Sequence, residues 1–223
     1  MSDAPDGYAF TDGLPLPVVP AGTNLLVAGR AMSVARDLAL SLTVADPSGD
    51  DGAILVSTNT APDKLFRQCG DIAPGLAADR LAIVDCNGQT GEEAAAADVR
   101  VVSVRQPNDL TGIGIHFSQL YERFHDAGVQ QVRTGVVGVS TLLLYTDLRP
   151  VFRFLHVMTA RVEQAEGLGV FLIDPGAHDE QAMSTLTQLF DGRIDVEETD
   201  DGTPRLRTRG LADGPETWTE FDV

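Results

Sequence analysis

The chain has 223 residues with 43% hydrophobic content, enough for one well-filled domain and too short to need two. Acidic residues outnumber basic ones 33 to 16, giving a net charge of −17, and arginine fills every basic position except Lys64. The acids are spread along the chain, so the whole surface repels nucleic acid and anionic lipid and excludes both as partners.

Residues 1–20 are polar, then proline-rich at Pro15, Pro17 and Pro20. They read as a lead-in packed loosely over the domain through Tyr8 and Phe10, with 21–223 as a single α/β domain. The opening stretch lacks the basic and apolar regions of a signal peptide, and no apolar run approaches the length of a membrane span, so a cytoplasmic location is expected. Cys69 and Cys86 have no metal-like spacing and read as reduced thiols. His116, His125, His156 and His178 never share ligand spacing on one helix, so no metal is expected.

Residues 23–42 (TNLLVAGRAMSVARDLALSL) read as a buried strand, a tight turn at Ala28 and Gly29, and a helix with Val34, Leu38 and Leu42 on one face. A second strand follows at 53–57 and a helix at 61–69, with Pro62 in its first turn and Gly70 as its stop. Strands at 81–85 and 99–104 flank a polar-alanine run at 92–98. A long helix capped by Asn108 or Asp109 extends to about Asp126 and closes at Gly128. A strand at 132–139 precedes a helix at 147–166, whose buried stripe is Val151, Phe154, Leu155, Met158 and Val162. A strand at 169–174 and a helix at 179–190 come next. Residues 193–198 and 205–209 alternate with period two around Asp200-Asp201-Gly202, a hairpin signal, and 218–223 offer an edge strand. Alternating strands and helices followed by a hairpin imply a three-layer α/β sandwich, mainly parallel, with an antiparallel edge.

The strand–turn–helix at 23–42 has the layout of a phosphate-binding loop, where glycines admit phosphates to a helix N-terminus, a lysine carries charge and a hydroxyl meets magnesium. Counted from Gly29, the second glycine falls on Val34, the lysine on Ala35 and the hydroxyl on Arg36. The layout is present and its chemistry is not. Arg30 and Arg36 are left as the cations near the turn.

The order of the pieces resembles the RecA-type ATPase core, closest to its KaiC-like branch. TNLLVAG and its helix stand where the phosphate loop belongs. GAILVSTNTAPDKLFRQ is similar to the family's second strand and helix, and RTGVVGVSTLLLY to its Walker B strand. FDGRIDVEETDDGTPRLRTRGL is similar to the closing hairpin. The resemblance implies a RecA-like sheet. It puts the water-activating carboxylate at Asn59 or Thr60 and the Walker B aspartate at Val139, with Ser140 beside it. Magnesium needs hard oxygen ligands and a general base needs a titratable group, and none of these side chains supplies them. The charge balance resembles proteins of salt-accumulating halophilic archaea.

The expected function is a non-catalytic RecA/KaiC-like regulatory or protein-interaction module, in signal transduction or control of a partner complex, with a protein partner or a homo-oligomer. No catalytic residue and no cofactor is expected, beyond weak, magnesium-independent nucleotide binding at Gly29, Arg30, Val34, Ala35, Arg36, Asn59, Thr60, Val139 and Ser140. One alternative is a structural subunit of a hetero-oligomeric ATPase, with Arg205, Arg207 and Arg209 facing a partner's phosphates. The opposing reading pairs them with Glu197, Glu198 and the aspartates across the hairpin. The other alternative is an enzyme of different chemistry using the strand-end Asp85 and Asp174 with His178 and Asp147.

Overall fold

The computed structural model describes residues 7–30, 33–46, 48–87 and 100–222. A short antiparallel ribbon, β1 (Gly7–Tyr8) and β2 (Val19–Pro20), precedes the main sheet. The chain then runs β3 (Asn24–Ala28), α1 (Val34–Val44), β4 (Gly52–Ser57), α2 (Pro62–Ile72), β5 (Leu81–Asp85) and β6 (Arg100–Ser103). It continues through α3 (Leu110–Asp126), β7 (Val132–Val137), α4 (Val139–Tyr145), α5 (Leu148–Gln164) and β8 (Leu168–Ile173). It closes with α6 (Glu180–Thr187), β9 (Gly192–Glu198), β10 (Pro204–Arg209) and β11 (Thr219–Glu220).

Among the described residues the main sheet has nine strands in the order β11-β10-β9-β3-β8-β7-β4-β5-β6. It is parallel from β9 to β6, and β10 and β11 add antiparallel to the edge. Every position of β3, β4, β5, β7 and β8 is buried. Apart from β7, which carries Arg133 and Thr134, these strands read as largely apolar runs because helices cover both sides of a parallel sheet. Leu38 and Leu42 of α1 and Leu65 of α2 lie in one core. Phe117 of α3, Leu142 of α4, Leu155 of α5 and Leu186 of α6 lie in the other. The architecture is mixed α/β with a mostly parallel central sheet, compatible with a three-layer sandwich.

The structure departs from the sequence expectations in four places. The strand expected to reach residue 139 stops at Val137, because Gly138 takes a φ of 123° and Val139 opens a helix. The mostly apolar stretch 135–145 hides this break, since periodicity alone does not separate a buried strand from a buried helix. Helix α2 passes through Gly70 and ends at Ile72. Helix α6 ends at Thr187, short of 190. The lead-in is anchored: Tyr8 is 1% exposed, and its hydroxyl donates to the Glu166 carbonyl at 3.0 Å. The run expected at 92–98 lies outside the described residues.

The anchor is Arg133 on β7, only 1% exposed. Its Nε donates to Asp51 at 2.7 Å, Nη1 to the Leu42 carbonyl at 3.2 Å and Nη2 to the Ala9 carbonyl at 2.9 Å. The guanidinium also lies 5.3 Å from the Tyr8 ring centroid and 6.0 Å from that of Phe10. One buried cation therefore ties the lead-in, α1 and the loop before β4 to the sheet.

Candidate functional site

Strand β3 delivers the chain to Gly29, whose N–H donates to the Ile173 carbonyl of β8 at 3.1 Å. A Cβ at Gly29 would stand 2.5 Å from Ala35 Cβ and 3.0 Å from the Val196 carbonyl oxygen, so the turn is packed hard onto α1 and β9. Ser33 caps the helix by accepting the Ala35 N–H, while its hydroxyl donates to the Arg30 carbonyl at 2.7 Å. Ala35 is fully buried in the core. Val34 is half-buried and packs against the same core.

Arg36 turns away from the loop. Its Nη2 donates to Thr60 Oγ1 at 2.9 Å, and Thr60 Oγ1 in turn donates to Asn59 Oδ1 at 3.2 Å. Ser57 holds this loop from below by donating to the Thr60 carbonyl at 2.8 Å. Burial pulls the Arg36 pKa below its ordinary value. A cleft of about 470 Å³ opens here, lined among others by Ser33, Arg36, Asn59, Thr60, Lys64 and Glu198. The chain's single lysine thus stands at this cleft's edge, on α2.

Val139 is fully buried at the first position of α4 and faces the opposite core from Ala35. The turn before it needs glycine: with φ at 123°, a Cβ on Gly138 would collide with Thr58 Oγ1, which hydrogen-bonds the Gly138 carbonyl at 3.2 Å. Ser140 accepts the Asp174 N–H at 2.9 Å and lies 2.9 Å from His178 Nε2. Burial lowers the His178 pKa, against the pull of Asp174 and Asp179. The Asp174 carboxylate accepts the Gly176 N–H at 2.9 Å, as a cap does.

The structure therefore gathers Gly29 and Arg30 at one turn, Arg36, Asn59 and Thr60 at a second place joined to it through Ser33, and Ser140, Asp174 and His178 at a third. It does not join the strand-end aspartates. Asp85 on β5 is three strands from Asp174, the residue just after β8, about 14 Å at ordinary strand spacing. Asp85 accepts from the Asn87 backbone and side chain, and exposed Asp147 precedes α5. Among the described residues no group of three or more His, Cys, Asp or Glu could hold a metal ion.

The chain leaves β3 toward β4 through α1 on one face, and leaves β8 toward β9 through α6 on the other. Ligands of open α/β sheets bind where connections diverge in this way, outside the carboxyl ends of the strands. A cleft of about 1050 Å³ lies there, and the charged residues lining it are Arg30, Asp174, Glu197, Glu198 and Asp200. Sequence reasoning put Asp174 at a ligand-bearing strand end but did not bring Glu197, Glu198 and Asp200 to it, because only the strand order sets β9 beside β3.

The arginine row is engaged within the hairpin. Arg205 pairs with Glu197, and Arg207 and Arg209 reach Asp195 at 3.1 and 3.2 Å. The Trp218 ring lies 5.3 Å from the Arg205 guanidinium and 4.6 Å from that of Arg207. Cys69 and Cys86 are free and buried, and burial pushes both thiols up to about 12.

No curated protein matches this chain. A family of unknown function matches residues 22–196, from the turn before β3 into β9, which is most of the chain. The chain belongs to that family, DUF7504.

Proposed function

We propose that this chain is a RecA/KaiC-like module that has lost ATPase chemistry and acts by binding a protein partner, in regulation or signal transduction. The observation that carries the reading is the fate of the positions the resemblance assigns to catalysis. Those of the lysine and the Walker B carboxylate, Ala35 and Val139, are fully buried in two different cores. That of the magnesium hydroxyl, Arg36, donates at 2.9 Å to Thr60, which with Asn59 is one of the two positions assigned to the water-activating carboxylate.

Electrostatics supports the same reading. The larger cleft is lined by four carboxylates and Arg30, and Arg205 pairs with one of the four, Glu197, so a nucleoside triphosphate would enter against a net negative field. Nucleotide binding is therefore weak and independent of magnesium. Phosphate release at molar salt should stay at background, and calorimetric titration with ATP should give the same weak heat with and without magnesium. Restoring the loop with Val34→Gly, Ala35→Lys and Arg36→Thr should recover neither turnover nor tight binding, because the new lysine starts from a buried position. Turnover or tight magnesium-dependent binding by the unmodified chain would overturn the proposal.

A further inference from the structure

Helix α5 inverts the charge balance of the chain. It carries Arg149, Arg153 and Arg161 against one acid, Glu163, in a protein where acids outnumber bases two to one. The arginines are exposed and fall with half-exposed Val157 at every fourth residue, so they form one outward stripe. Beside the stripe runs a cleft of about 470 Å³ between α3 and α5. Its apolar lining includes Ile115 and Val157, 52% and 49% exposed, and its charged lining is Arg153 and Arg161 without a carboxylate among the described residues.

The floor of this cleft contains Gly114. Glycine inside a helix costs about 1 kcal/mol relative to alanine. No contact among the described residues requires it here, since a Cβ would meet nothing within 4 Å. Its bare backbone leaves the groove open, and Arg161 spans the wall to its carbonyl at 3.0 Å. From Pro150 to Arg161 the groove follows about three helical turns, roughly 17 Å.

We propose that the α3–α5 groove docks an acidic amphipathic helix of a partner protein, with apolar anchors at i, i+4 and i+7 over Ile115 and Val157 and carboxylates toward Arg149 and Arg153. Charge complementarity selects this occupant. A two-fold contact with a second copy would set the arginine stripe against itself, and the −17 surface around the stripe opposes an anionic membrane. The proposal rests on the reading of the chain as a protein-binding module and not on the loss of ATPase chemistry. ATP turnover would overturn the second and leave the groove intact.

The test is selection of helix-length peptides from a displayed random library on the folded chain, followed by anisotropy titration of the synthetic winners. Enriched peptides should be acidic, with apolar residues at helical spacing. Affinity should fall at least tenfold on Arg153→Glu, Ile115→Asp or Gly114→Leu. These positions are not in the buried core, so melting temperature confirms that each variant is folded. Binding should also weaken with added salt. The proposal is overturned by no enrichment, by enrichment of basic peptides, or by winners indifferent to all three variants. Self-association through this face, or binding of anionic vesicles that displaces the winners, also overturns it.

Discussion

At the scale of single residues, a few side chains decide what the carboxyl edge of the sheet can do. Ser140 receives the Asp174 N–H and meets His178, so the first turn of α4 is stitched to the chain leaving β8 by a serine hydroxyl that also holds an imidazole. Because burial lowers the His178 pKa, the folded chain favours neutral imidazole. Between the lowered value and the ordinary one, near 6.5, the unfolded chain binds more protons. Stability from this histidine is therefore complete above about pH 6.5 and is lost as pH falls through that window. His178→Gln keeps a donor for Ser140 and should flatten this part of the profile. Denaturant midpoints for both chains between about pH 5 and 8 check it, and parallel profiles would refute it.

Elements are held in place here by buried polar contacts as much as by apolar faces. Arg133, inside β7, joins Asp51, α1 and the lead-in, while burial pushes the Asp51 carboxyl up against the arginine's pull. Arg133 also reaches Asp46 at 3.4 Å, so removing the arginine strands two carboxylates. Arg133→Met should cost about 3–5 kcal/mol and release the lead-in, whereas the double change with Asp51→Leu should cost less than the single one. Chemical denaturation gives the energies, and proteolysis near residues 9–18 reports release. A double variant weaker than Arg133→Met would refute the pairing argument. In the hairpin, by contrast, Arg205 pairs with Glu197 while Arg193, Arg207 and Arg209 share the single carboxylate of Asp195, so the row is engaged but not neutralised.

For the whole molecule the controlling term is the net charge of −17. Self-repulsion reaches about 10 Å at 0.1 M salt and only about 3 Å at 1 M. The melting temperature should therefore rise on the order of 10 °C between dilute and multimolar potassium chloride, equivalent to a few kcal/mol for a chain of this size. Equal melting temperatures would remove the resemblance to salt-adapted proteins. The described residues contain no helix long and apolar enough to cross a membrane.

Local chemistry made much of this fold legible in the sequence. Largely apolar runs marked the buried strands, and helical spacing marked α3 and α5. Asn108 or Asp109 announced a cap, which Asp109 makes, and Asp200-Asp201-Gly202 a hairpin, because propensity and periodicity act over a few residues. The absence of lysine at residue 35 and of a carboxylate at 139 was equally plain. Tertiary structure alone decided what those positions became. Ala35 and Val139 entered opposite cores, Arg36 met Thr60 across 24 residues, Ser140 met His178 across 38, and Arg133 met Ala9 across 124. Strand order sets such meetings, and pairing between distant strands is a property of the assembled sheet that no local window of sequence contains.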